Sequence, residues 1–147
     1  MKKLAISVAM FIASNGFSQM TETKKLASGK MVNWKIVMNI KNNTDTSTYF
    51  YYGYQNAKYT HITDIGALCT ESKQELIDIS NALKTLASKE NGVQIELKVN
   101  KYSFRLYDFS NNIYIEDEEG KYTYTSKKQA IKLADDFLLN AKFLRND

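Results

Sequence analysis

Val93-Gln94-Ile95-Glu96-Leu97-Lys98-Val99-Asn100-Lys101-Tyr102-Ser103-Phe104-Arg105-Leu106 is the stretch that decides the fold. Val93, Ile95, Leu97 and Val99 alternate with Gln94, Glu96 and Lys98, and this period of two is that of a half-buried strand. Tyr102, Phe104 and Leu106 then alternate in the opposite parity. A two-residue turn at Asn100-Lys101 reconciles the two runs. It pairs Val99 with Tyr102, Leu97 with Phe104 and Ile95 with Leu106 on one face, and sets Glu96 opposite Arg105 on the other as a favourable cross-strand pair. One register satisfies both faces, so the chain contains an antiparallel hairpin with one side against a core.

The pattern continues outward from that hairpin. Asn111-Asn112 reads as a turn before a strand through Ile113 and Ile115, but a two-residue and a bulged loop put Ile113 on different faces, so this register stays open. Asp117-Glu118-Glu119-Gly120 is a further turn, and Tyr122 to Thr125 a short last strand. Ser126-Lys127-Lys128-Gln129 opens a helix as a capping box, with Ala130, Leu133, Phe137, Ala141 and Leu144 along its apolar face. Upstream, Ser72-Lys73-Gln74-Glu75 is a second capping box. Here Glu75 is expected to reach back to the cap, and Leu76, Ile79, Leu83 and Leu86 recur at helical spacing. That helix should end near Asn91-Gly92, where glycine takes a left-handed turn. Val32, Trp34, Ile36, Met38 and Ile40 alternate as an earlier strand, and Lys41 to Ser47 is polar and reads as a turn. Strands follow from Thr48 to Tyr54 and from about Lys58 to Cys69, the latter interrupted at Gly66.

The expected fold is therefore α+β. It has antiparallel sheets of about six to eight strands with two helices packed on one face, in the order β-β-β(-β)-α-β-β-β-β-α. Ser72-Lys73 aligns with Ser126-Lys127 and Leu83 with Phe137, which points to two pseudo-repeats.

The start of the chain reads as an export signal. Lys2 and Lys3 precede an apolar run from Leu4 to Ala13, and Gly16 and Ser18 are the small residues that a signal peptidase needs before a cut. Residues 1–18 are thus expected as a cleavable signal peptide, 19–30 as a flexible leader and 31–147 as a single α+β domain, exported to the periplasm or the extracellular space. The formal charge of +4 falls to +2 without Lys2 and Lys3, which is no footprint of a dedicated nucleic-acid or anionic-membrane binder. No later stretch is long and apolar enough to span a membrane. With one cysteine, Cys69, the chain has no internal disulfide; Cys69 lies in an apolar run and reads as a small buried thiol.

No catalytic constellation is recognisable. His61 is the single histidine, and the eight residues between it and Cys69 span about 26 Å when extended. A zinc site needs three or four ligands, so neither metal nor cofactor is expected. Glu116 to Gly120 lacks the spacing of a calcium loop. No carboxylate pair is marked out for hydrolysis, and a small envelope hydrolase stays an open alternative.

The strongest functional lead is tyrosine. There are ten, and Tyr49-Phe50-Tyr51-Tyr52-Gly53-Tyr54 places aromatics on both faces of one strand. Tyrosine joins contact area to a polar tip and is enriched where proteins bind one another. Tyr49, Tyr51, Tyr52, Tyr54 and Tyr59 are the candidate contact patch of a non-enzymatic binding domain, its partner a protein or another envelope or extracellular ligand.

Four strands then a helix, twice over, is similar in topology to the Whirly and Pur-type single-strand nucleic-acid binders. That resemblance rests on the order of elements. It implies a sheet face carrying basic and aromatic residues, against which export and the low net charge both count.

Overall fold

The computed structural model describes residues 17–25, 33–42, 45–58, 64–89 and 92–146, with side chains from Ser47 onward. The fold is α+β with two antiparallel four-stranded meanders, each followed by a helix. The first sheet runs β1 (Phe17–Lys25), β2 (Asn33–Asn42), β3 (Asp45–Gln55) and β4 (Ile65–Thr70), and leads into α1 (Lys73–Ser88). The second runs β5 (Gln94–Val99), β6 (Tyr102–Phe109), β7 (Asn112–Asp117) and β8 (Tyr122–Ser126), and leads into α2 (Lys127–Ala141). The α+β class and the order of strands and helices agree with the sequence reading, whose range is six to eight strands; the fourth strand of the first sheet is β1 rather than a product of a break at Gly66.

Several boundaries differ. Residues 19–25, expected as leader, together with Phe17 and Ser18, expected as the end of the signal peptide, form β1 at the edge of the first sheet, because backbone pairing with β2 asks nothing apolar of an edge strand. The pairing shifts register between Met20 and Glu22, an irregularity common in edge strands. The rest of the expected leader and residues 1–16 of the expected signal peptide lie outside the described residues, as do Val32, Tyr59, His61 and Asn91. The polar stretch from Lys41 to Ser47 is mostly strand, since β2 runs through Asn42 and β3 resumes at Asp45. β4 is shorter than expected, and Gly66 sits inside it: the ring of Tyr54, its cross-strand partner, lies where a Cβ would stand.

The central hairpin has the derived register, with Val99, Leu97 and Ile95 opposite Tyr102, Phe104 and Leu106. Asn100 turns the chain with φ 59°. Glu96 is opposite Arg105, yet the guanidinium pairs with Glu116 on β7 at 2.7 Å instead. The next turn is a two-residue one at Ser110-Asn111, with φ of 52° and 64°, one residue earlier than the expected Asn111-Asn112, because Asn112 already pairs with Phe109. It pairs Asp108 with Ile113 and Leu106 with Ile115, and both isoleucines are buried.

The helix caps form, with a change of partner. Ser72 Oγ accepts from the Glu75 amide at 3.2 Å, and Ser126 Oγ from the Gln129 amide at 3.3 Å. The Glu75 carboxylate does not close a box on the cap. Thr70 Oγ1 accepts from the Ser72 amide and donates to Glu75 Oε2, while Glu75 Oε1 accepts from the Asn100 amide at 2.8 Å. One carboxylate thereby ties the end of β4, the start of α1 and the β5–β6 turn together. Helix α1 ends at Ser88 with Lys89 as its C-cap, so Gly92, with φ 97°, lies three residues beyond the cap and does not itself cap the helix.

One core joins the halves. Phe50, Tyr52 and Tyr54 of β3 and Leu68 of β4 meet Leu76, Ile79, Leu83 and Leu86 of α1, and Phe104, Leu106, Ile113 and Ile115 lie beneath the helices from the other sheet. Phe137 of α2 meets the rings of Phe50 and Tyr52 edge-on, at 5.0 and 5.3 Å. Polar bonds seal the junction of the sheets: the Ala57 amide donates to Tyr122 O, the Tyr122 amide to Asn56 Oδ1, and the buried Tyr54 hydroxyl to Asp117 Oδ2.

Candidate functional site

The burial of β3 divides the expected tyrosine patch. Tyr52 and Tyr54 point inward and are 1 % and 0 % exposed, so they are core residues. Burial raises both phenols, and Asp117 beside Tyr54 raises it further. Tyr49 and Tyr51 lie on the opposite face, half-buried. Tyr51 sits across from Cys69, and burial pushes its phenol up to about 12 and the thiol up to about 11. Tyr59 lies outside the described residues. The four described tyrosines are therefore divided between the two faces of β3.

A different set of aromatics shares a single face. On the second sheet the inward positions are apolar except for Asp108 and Thr123, and the register aligns the outward ones in rows across the strands. One row is Gln94, Tyr107, Tyr114 and Tyr124, and the next is Glu96, Arg105, Glu116 and Tyr122. The rings touch. Tyr107 and Tyr114 stack nearly parallel, with centroids 5.0 Å apart and planes 8° from parallel. Tyr124, Tyr122 and Phe109 surround Tyr114 at 5.4, 5.8 and 6.2 Å. Phe109, at the strand end, is 64 % exposed. An apolar ring that open to water is the least accounted for by folding alone.

Charge on this face is settled internally. The Arg105 guanidinium lies over the Tyr107 ring, 5.6 Å from its centroid, and bonds Glu116 Oε1 at 2.7 Å. Burial, and then its hydrogen bond to Glu116, push the Tyr107 phenol up to about 12. Burial raises Tyr114 as well, with Tyr124 and Tyr122 adding to the effect. Beside the rings an open groove of about 650 Å³ runs between the β5–β6 and β7–β8 ends, and Glu96, Glu116, Asp117, Glu118 and Glu119 outnumber Lys98 and Arg105 along it. The whole face is aromatic, with an acidic flank.

The arrangement offers area and polar tips, with no nucleophile and base brought together on it. Among the described residues no three His, Cys, Asp or Glu side chains gather as a metal site, and no helix is long and apolar enough to cross a membrane. Sequence reading missed the face because its rows exist only once the Ser110-Asn111 turn is fixed. The outward parity of Tyr107 and Phe109, and of Tyr122 and Tyr124, was the available signal. Comparison with protein-family models and with curated proteins gives no match.

Proposed function

We propose that the chain is an exported, non-enzymatic binding domain that holds a protein partner on the aromatic face of its second sheet. The stacked pair Tyr107–Tyr114, ringed by Phe109, Tyr122 and Tyr124, carries this reading. Aromatic side chains give large contact area for little conformational entropy, and clusters of them with an arginine are typical energetic centres of protein interfaces.

The same geometry weighs against a single-stranded nucleic acid, despite the repeated ββββα order. Bases need free ring faces and phosphates need free cations. Here two rings cover one another, the arginine is neutralised, and the flank is acidic.

The test is capture of partners from an envelope extract by the wild-type domain and by Phe109→Ala/Tyr114→Ala, with Tyr49→Ala as the control from the other sheet. Loss of a specific partner by the double variant, with affinity down by roughly tenfold or more, and its retention by Tyr49→Ala are expected. Equal capture by both variants would sink the assignment. Salt-dependent retention on single-stranded DNA that Tyr114→Ala abolishes would replace it with the nucleic-acid reading.

A further inference from the structure

The described surface has a second apolar patch, on a different element. Ile131, Leu139 and Phe143 are 44 %, 59 % and 54 % exposed. Helix α2 buries Ala130, Ala134, Phe137 and Ala141 on its core side. At a helical step of 100° the three exposed apolar residues fall on the other side, within an arc of about 120° that also holds Lys128, Lys132, Asp135 and Lys142. Lys142 keeps right-handed helical backbone, so the spiral continues to Phe143.

Charge on that arc is one-sided. Asp135 is already paired, its Oδ1 2.7 Å from Lys84 Nζ on α1. Lys128 and Lys132 have no carboxylate at ion-pair distance among the described residues, and Lys142 lies over the Phe143 ring, 5.1 Å from its centroid. Cations and apolar side chains are thus interleaved on a convex surface. A second copy related by a twofold axis would set lysine against lysine. A nucleic acid would meet the lysines but leave Ile131, Leu139 and Phe143 without apolar partners. The headgroup layer of an anionic bilayer offers phosphates and hydrocarbon in one plane. Lysines reach the former while leucine, isoleucine and phenylalanine enter the latter.

We propose that the outer face of α2 is a docking surface for anionic lipid bilayers, on which the helix lies flat. It rests on residues separate from the aromatic face.

Full-length protein is sedimented with vesicles of phosphatidylglycerol and phosphatidylcholine, and with phosphatidylcholine alone, at low and high salt. Binding to the anionic vesicles, weakened by salt, is expected. Lys128→Gln/Lys132→Gln/Lys142→Gln should lower the partition coefficient by on the order of a hundredfold, and Leu139→Ser/Phe143→Ser by at least tenfold. All five side chains are exposed, so circular dichroism and the thermal midpoint should stay unchanged in both variants. Tyr114→Ala should sediment like the wild type, which keeps this test separate from that of the aromatic face. No binding to anionic vesicles, equal binding to pure phosphatidylcholine, or wild-type binding by either α2 variant would overturn the proposal. Capture of an acidic protein by the lysine face without vesicle binding would do so as well.

Discussion

Ser80 of α1 donates its hydroxyl to the main-chain oxygen of Ala134 in α2 at 2.7 Å, across the contact of the two helices, and the two positions are 54 residues apart. The cap serines Ser72 and Ser126 are separated by the same step. Ser80 thus touches the residue at its own equivalent position in the second ββββα unit, and the two helices pack against one another there. Small residues at both positions let the helices approach closely.

Ser80→Ala is therefore expected to lower stability by about 1 kcal/mol, the net worth of one neutral hydrogen bond, because Ala134 O keeps its place in the α2 backbone ladder. Ser80→Leu inserts volume into the same contact and should cost more, about 2–3 kcal/mol. Urea unfolding of both variants checks the order. A Ser80→Leu protein as stable as Ser80→Ala would show that the helices are not close-packed there.

The same kind of close approach makes Gly66 and Gly53 unequal. A Cβ on Gly66 would stand 2.1 Å from Tyr54 Cε2, in a ring that is fully buried and bonded to Asp117. On Gly53 the nearest atom is Tyr51 Cε1 at 2.7 Å, at the far part of a ring that is only half-buried. Gly66→Ala should destabilise by about 1–3 kcal/mol and Gly53→Ala by less than about 1. Equal shifts of the urea midpoint would contradict the difference in ring freedom.

These examples show what the sequence could and could not tell. The Val99–Tyr102 hairpin was legible because apolar and charged faces both fixed its register. On β3 aromatics occupy both faces, so alternation alone could not choose the inner one. Contact with Phe137 and Leu68, remote in sequence, made Phe50, Tyr52 and Tyr54 the core. The turn at Ser110-Asn111 depends on two consecutive left-handed residues, and without it Tyr107 had no partner. The spacing of Ser72 and Glu75 announced a cap correctly, but only the fold brings the Thr70 hydroxyl and the Asn100 amide to the same carboxylate.

Asp108 supplies a test of buried charge. Its side chain is wholly buried at the inner end of β6, and Lys127 Nζ, 3.0 Å from Oδ2, is its cation. Neither carboxylate oxygen has a well-aligned hydrogen bond among the described residues, so the ammonium carries most of the compensation. Lys127 also donates to Lys89 O at 2.8 Å, joining the start of α2 to the end of α1. Lys127→Met strands the carboxylate and should cost about 2–3 kcal/mol, reduced from the fully buried case because the lysine is partly exposed. Asp108→Leu/Lys127→Met removes both charges and should recover most of that loss. A double variant no better than Lys127→Met would mean that packing, rather than the stranded charge, sets the cost.

Alkaline stability follows from the phenols. Burial is the first cause of the raised values at Tyr51 and Tyr107, both pushed up to about 12, and it raises Tyr52 and Tyr54 further. In the unfolded chain a tyrosine titrates near 10. A phenol whose folded value is raised contributes stability that is fully present below about pH 10 and is lost as the pH climbs from 10 toward 12, since only the unfolded chain releases its proton there. The urea midpoint should stay level from pH 7 to 9 and fall steeply above 10. In the folded protein, absorbance at 295 nm should show Tyr52 and Tyr54 silent until the chain unfolds. Tyr107→Phe removes one raised phenol along with its bond to Glu116, so its alkaline decline should be shallower than that of the wild type. If all ten tyrosines ionised together near pH 10 while the fold persisted, neither the inward face of β3 nor the half-buried stack on the second sheet could be as described.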